Sequence, residues 1–309
     1  MQRRSILLAV GAATVGSSLL AACGGGNDPD IVQIAQSNPD LSILVEAVAA
    51  AGLVDTLKNQ GPFHVFVSPH AAFVSFLGGF GFTNKALLAH KPVLPATRHS
   101  PCLYRREEKG AIPAGKAIST VGGSIFKIDT SSGALAITDG RNRVSKIIQT
   151  DINASNGVIH VIDKVILPAN KNIVETAAGI SDFSILVEAV IAANLQGTLS
   201  GVGPFTVFAP TNAAFAALLA ELGISKQALL ADVPLLTNVL TYHVVAGRVL
   251  KADVPVGTPI ATVQGGKFTV DSTLTITDAR SRKAKIVATD VLTSNGVIHV
   301  IDKVILPTA

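Results

Sequence analysis

Apolar residues first recur along this chain at helical spacing and later at strand spacing, and the sequence of periods is then repeated. Phe183, Leu186, Val190 and Ala193 fall three and four residues apart in an Ala-rich stretch, the spacing of an amphipathic helix. GPFTVFAP (203–210) is a short β-branched and aromatic run closed by proline, which predicts a strand. Thr211-Asn212 then opens AAFAALLAEL, where either side chain could cap the first turn, and Thr83 and Ser225 open the shorter NKALLA and KQALLA. GGKFTV, LTITDA, AKIVATD and GVIHVIDKVIL predict a late set of strands and hairpins, so the unit is α+β, helices early and an antiparallel sheet late.

The whole pattern occurs twice. DLSILVEAVAAAGLVDTLKNQGPFHVFVSPHAAF (40–73) aligns with DFSILVEAVIAANLQGTLSGVGPFTVFAPTNAAF (182–215) at a shift of 142 residues. SNGVIHVIDKVILP is identical at 155–168 and 294–307, a shift of 139, and the difference falls in the turn TSSGA (130–134). Units this long, each with its own closing strand, are complete domains rather than solenoid repeats. Their predicted spans are 31–168 and 173–307, and the short linker Ala169-Asn170-Lys171-Asn172 restricts their relative orientation.

One window breaks the correspondence. PATRHSPCLYRREEK (95–109) stands opposite TNVLTYHVVAGRVLK (237–251), and only Arg106/Arg248 and Lys109/Lys251 agree. Val239, Leu240, Val244, Val245 and Val249 predict a buried run, read as an interior strand, in which a proline at the place of Pro101 would remove a ladder donor. Preserved length with lost identity fits two compensating shifts of reading frame; the alternative is a charged binding loop. Either way the first domain lacks the Tyr242-His243 segment and is expected to be the less stable half.

Composition supports two folded domains. Of 309 residues 48% are hydrophobic and 15% charged, too apolar for disorder. Aromatics make up 5% with no Trp, which leaves few stacking platforms for sugars or single-stranded nucleic acid, and a formal charge of +4 carried by scattered Lys and Arg gives no nucleic-acid footprint.

The N-terminus reads as an address. MQRR, an apolar ILLAVGAATVG and the small residues before Cys23 form a signal peptide over 1–22. Leu20-Ala21-Ala22-Cys23 resembles the bacterial lipobox, which implies lipidation of Cys23, a tether over 23–30 and anchoring to the cell envelope after export. The same ending also suits an ordinary cleaved signal, and Arg3-Arg4 suits either Sec or twin-arginine export.

Motifs for chemistry are sparse. The seven histidines form no HxxxH, HExxH or Cys/His cluster, and no GxSxG or phosphate-loop motif occurs, so no metal site, no cofactor and no catalytic residue is predicted. His160 and His299, each in VIHVID, read as hydrogen-bonded residues at the edge of the core. Asp163-Lys164 and Asp302-Lys303 read as solvated pairs or strand-end caps.

TVFAPTNAAF, NVLTYHVVAG and SNGVIHVIDKVILP, in that order and spacing, resemble the signature segments of the fasciclin domain. The resemblance covers all of 173–307 and all of 31–168 except the anomalous window. It implies a wedge-shaped β-sandwich with a helical layer, and extracellular, often membrane-anchored modules linked to adhesion and matrix contact, with no catalytic activity common to the family. The partners it implies are a surface or matrix protein or polysaccharide. It also carries a contact role onto Tyr242, His243, Val239 and Asn212. The alternative is that Tyr242 and His243 make buried hydrogen bonds joining helices to sheet, and that Asn212 caps a helix. A secreted enzyme or small-ligand binder using an interdomain cleft, or a purely structural envelope protein, are the other function classes.

Overall fold

A computed structural model of the chain describes residues 28–50, 52–80, 102–103, 114–120, 123–131 and 134–308. Cys23, the signal peptide, the helix expected after Thr83 and most of the 95–109 window lie outside the described residues.

The second domain sets the pattern. Helices Ile173–Ala178, Ser184–Ala192 and Gln196–Ser200 precede a strand, and helices Asn212–Leu222, Lys226–Ala231 and Val233–Tyr242 follow it. Their starts are written in the sequence. Asn172 and Glu175 form a capping box, Thr211 and Ser225 accept from Ala214 N–H and Ala228 N–H, and Asp232 accepts from Leu235 N–H with proline in the first turn.

In chain order the first domain has strands β1 (Phe63–Val67), β2 (Cys102–Leu103), β3 (Ala117–Ser119), β4 (Ile125–Ser131), β5 (Ala134–Thr138), β6 (Val144–Ala154) and β7 (Gly157–Ile162). The second has β8 (Phe205–Pro210), β9 (Val244–Ala246), β10 (Ile260–Ala261), β11 (Lys267–Val270), β12 (Thr275–Thr277), β13 (Lys283–Thr293) and β14 (Gly296–Ile301). The sheets have the same seven-stranded order, β2-β1-β7-β6-β5-β4-β3 and β10-β11-β12-β13-β14-β8-β9. Neither sheet is purely antiparallel as expected: β7 lies parallel to β1 and β14 parallel to β8, because each early strand is separated from its partner by long intervening chain.

The 11-residue strands β6 and β13 carry register shifts where they pair β7 and β14, and such bulges bend a strand. The bend lets one end of β13 pair β12 while the other pairs β14. Two cores result in the second domain. Phe183, Leu186, Phe215, Leu236 and Ile298 pack between helices and sheet. Phe208, Tyr242, Phe268, Ile276 and Ile301 pack between the two halves of the sheet.

The identical closing motif has one job in both halves. Asn295 accepts from Ile173 N–H and donates to Leu199 O and Gly201 O; Asn156 does the same for Ile31 N–H, Leu57 O and Asn59 O. Each asparagine therefore ties the first helix and the third-helix loop to the closing hairpin. Close approach explains the glycine that follows: a Cβ on Gly296 would lie 2.1 Å from Phe205 O. Asp302 and Asp163 cap the strand crossing, accepting from Lys285 N–H and Lys146 N–H at 2.7 Å.

The anomalous window needs correction on one point. Val239 and Leu240 belong to the helix ending at Tyr242, and Val244–Ala246 is an edge strand, not an interior one. In the alignment Pro101 stands opposite His243, one residue before the second domain's edge strand begins at Val244, and it lies outside the described residues. Cys102 and Leu103 retain their places: Cys102 pairs Val65 and Leu103 pairs His64, as Val244 pairs Val207 and Val245 pairs Thr206. Edge strands are short and make few demands on sequence, which lets this pairing persist amid changed neighbours.

The two domains also meet directly. Ile125 and Ala117 of the first pack against Leu250, Leu292 and Val297 of the second. Asn142, at φ 60° in the turn between β5 and β6, donates to Leu292 O (3.0 Å) and accepts from Leu292 N–H (2.6 Å). Lys127 reaches Asp290 at 3.0 Å.

Candidate functional site

Tyr242 and His243 end the last helix, where the chain turns into β9. Tyr242 is 0% exposed, its hydroxyl donating to Lys267 O at 2.7 Å and accepting from Ala279 N–H at 3.0 Å. Burial raises its pKa. His243 is 2% exposed; Nδ1–H donates to Val239 O at 2.7 Å and Nε2 accepts from Ile305 N–H at 3.1 Å. These two bonds require the neutral ring, and burial pulls its pKa down to about 4 against the opposing pull of Val239 O and Asp278.

Each predicted contact residue can now be placed. Tyr242, His243 and Val239 lie in the interior, so a direct contact role for them gives way to the alternative: they join the helical layer, the sheet edge and the closing segment. Asn212 sits partly exposed on the helix after β8. It is not that helix's cap, a place Thr211 takes. Instead its Oδ1 accepts from Ile185 N–H at 3.0 Å and its Nδ2 donates to Ser181 O and Ser184 Oγ, which satisfies the start of the neighbouring Ser184–Ala192 helix. Tyr242 and Asn212 are thus not brought together as one surface.

His299 is deeper than the core edge expected of it, at 0% exposed. Its Nε2–H donates to Val249 O at 2.8 Å, and Nδ1 accepts from Asp290 N–H at 3.3 Å. Burial lowers its pKa too. His160 repeats the bulge contact, accepting from Asp151 N–H at 3.1 Å. Asp290 and Asp151 are both left-handed, at φ 61° and 60°, so the histidine holds a bulge that turns the backbone.

Sequence reasoning missed three groups. Asp278, 5% exposed, accepts from the N–H groups of Arg280, Arg282 and Leu306, and Asp139 does the same for Arg141, Arg143 and Leu167. The repeated ITDxRxR was a visible signal of this turn. His64, 1% exposed, takes the place of Thr206. Thr206 ties Gly247 O and Val249 N–H, whereas neither nitrogen of His64 has a hydrogen-bond partner among the described residues. It stacks on Phe66 and lies 4.3 Å from the His160 ring, and burial, then His160, hold its pKa down to about 4.

The third group lines a cleft between the domains, about 560 Å³, with Lys127 and Asp129 on one side and Lys251 and Asp290 on the other. Lys127 bridges Asp290 (3.0 Å) and Asp129 (3.1 Å), and Asp290 also accepts from Lys251 N–H at 2.7 Å. Burial opposes the charge on Lys127, but the two carboxylates outweigh it and raise its pKa. No repeat signal marked this site, since Thr269 stands where Lys127 would recur. Among the described residues no group of three or more His, Cys, Asp or Glu is placed to hold a metal, and no helix is long and apolar enough to cross a membrane.

The fasciclin-domain family model matches residues 39–168 and 181–307. The chain belongs to the fasciclin family. Among similar proteins, Protein sll1483 of Synechocystis sp. is 46% identical over 150 residues, 48% of this chain and 79% of that protein. Human periostin is 26% identical over 267 residues, covering 85% of this chain but only 29% of periostin. A solved FAS1 domain pair from the insect cell adhesion molecule fasciclin I matches at TM-score 0.43 and 16% identity, covering 87% of this chain and 98% of that one. Both fasciclin domains here are mixed sheets with a helical layer, and the family match spans the first domain in spite of its altered window.

Proposed function

We propose that this protein is an exported, lipid-anchored, non-enzymatic component of the bacterial cell envelope that mediates adhesion or binds a surface or matrix partner through its paired fasciclin domains. The observation that carries the reading is the fate of Tyr242 and His243: every polar atom of both side chains is bonded to backbone inside the second domain. The polar groups best suited to chemistry in this segment hold a scaffold together. Contact then falls to what the scaffold presents outside, its loops, helical face and interdomain surface. Family membership supports adhesion as the role, and the Cys23 segment supports attachment to the envelope.

The test is genetic. Deletion of the gene in its native host should reduce attachment to surfaces or matrix, and the wild-type gene should restore it. Cys23→Ala should place the protein in the soluble fraction and fail to restore attachment. Unchanged attachment after deletion would overturn the reading in favour of a purely structural envelope protein.

A further inference from the structure

We propose that the cleft between the two domains binds a neutral polyhydroxylated ligand, a short stretch of uncharged glycan. This deepens the envelope-binding reading by naming a ligand class, and it rests on a different part of the molecule from the Tyr242 region.

The floor of the cleft is the outer face of the first domain's sheet. Along β4, Phe126 and Ile128 are buried in the core, and Lys127 and Asp129 alternate with them toward the cleft; on β5, Ala136 and Thr138 flank buried Ile137. The second domain supplies the opposite wall with Lys251-Ala252 and the bulge Thr289-Asp290. A volume of about 560 Å³ lies within the roughly 300–1,000 Å³ range of small-ligand sites.

The lining selects the ligand by its charge balance. Two lysines face two aspartates, and Lys127 is already shared between both carboxylates, so neither an anion nor a cation is favoured. Among the described residues no aromatic side chain lines the cleft, so none of them stacks a nucleobase or a flat ring. What remains are the hydroxyls of Thr130, Thr138 and Thr289, the Asp129 carboxylate and the Lys251 ammonium. A sugar hydroxyl both donates and accepts, so neighbouring hydroxyls can meet a carboxylate on one wall and an ammonium on the other. Small residues, Ala114, Gly115, Ala136 and Ala252, leave room for a pyranose ring and offer its C–H face an apolar surface.

The site is a property of the pair. The wall is fixed against the floor by Asn142 on Leu292 and by Lys127 on Asp290. The corresponding face of the second domain carries Thr269 on β11 and Thr277 on β12, so Thr269 stands where the first domain has the bridging Lys127.

The experiment is a glycan array of neutral and anionic oligosaccharides probed with the purified full chain, with calorimetry on the hexasaccharides that bind. Saturable binding of a neutral oligosaccharide is expected. Asp129→Asn and Thr138→Val should each weaken it at least tenfold with the far-UV spectrum unchanged, while Thr277→Val on the matching face of the second domain should leave it unaltered. Asn142→Gly, which frees the wall from the floor, should weaken binding without touching the ligand. Absence of any neutral ligand, preference for sulfated or uronic oligosaccharides alone, or binding indifferent to Asp129 and Thr138 would each overturn the proposal. Attachment assays on cells report separately, so a cleft that takes no sugar leaves the envelope-binding reading standing.

Discussion

Asn142 of the first domain grips both polar groups of the Leu292 backbone in the second, donating to its carbonyl at 3.0 Å and accepting from its N–H at 2.6 Å. The amide thus acts as one more strand residue beside β13, across a domain boundary. Position 142 is left-handed, which asparagine tolerates better than most residues, and Ser281 takes the matching place in the second domain at φ 60°. Removing the amide should loosen the pair. Asn142→Gly keeps the backbone conformation and loses both bonds. It should expand the molecule in small-angle scattering and quicken proteolysis at 169–172, with each domain's own unfolding nearly unchanged.

Lys127 and Asp290 form a mostly buried ion pair, with side chains 12% and 3% exposed. Breaking one half strands the other charge, at a cost of about 3–5 kcal/mol for a fully buried pair and somewhat less here, where Lys127 keeps some water. Lys127→Met should therefore lower the denaturant midpoint of the second domain more than the double variant Lys127→Met/Asp290→Asn. Asparagine suits the left-handed position 290. A double variant no more stable than the single one would show that the pair does not interact.

Tyr242→Phe removes a hydroxyl that satisfies Ala279 N–H and Lys267 O in the interior. Two orphaned backbone groups predict a loss of about 1–3 kcal/mol in urea unfolding. Tyr242→Ala adds a cavity and should cost about 3–5 kcal/mol. In both variants weakened partner binding should follow loss of fold, as seen when binding and circular dichroism are recorded together.

His243 is neutral in the folded state, with its pKa held down to about 4 by burial, while an unfolded histidine titrates near 6.5. The unfolded chain therefore takes up the proton first as pH falls. Stability from this group is full above about pH 6.5, declines between about 6.5 and 4, and is level below that; the total is roughly 3 kcal/mol. His299 and His64, both shifted down, act in the same direction. Equilibrium unfolding at pH 7, 6 and 5 should show falling stability, and His243→Gln should flatten the slope of the second-domain transition.

The first domain leaves an apolar cavity of about 100 Å³ between helices and sheet, where the second, with Leu240 and His243 in the lining, leaves about 30 Å³. Replacing 95–109 with the 237–251 sequence should stabilise the first domain by filling this space. Because Cys102 and Leu103 already hold the register of Val244 and Val245, the graft needs no new strand pairing. A raised first-domain unfolding midpoint in calorimetry supports the frame-shift reading of the window. An unchanged midpoint with altered ligand binding supports a charged loop.

Much of the fold was legible because its devices are local and written twice. Caps at Thr211 and Ser225, the period-two runs that become β11 to β14, and the SNGVIH hairpin all act over a few residues. Comparing the halves also located the altered window. Where short-range reading failed, the partner lay far along the chain. Val239 to Val249 looked like one apolar run, yet it divides at His243 because Ile305, 62 residues on, draws the imidazole inward. Asn212 looked like a cap for its own helix, and it serves another that starts 28 residues earlier.

The sequence by itself determined two α+β fasciclin domains, their order, and the paucity of catalytic motifs, since periodicity, capping and repetition are read along the chain. Only the tertiary structure decided that Tyr242 and His243 face inward, that β9 is an edge, that Lys127 meets Asp290 in a cleft, and that Asn142 meets Leu292 across the domain boundary. Those outcomes depend on which surfaces the folded domains bring within hydrogen-bonding distance, and residues that differ between the repeats leave no period from which to read it.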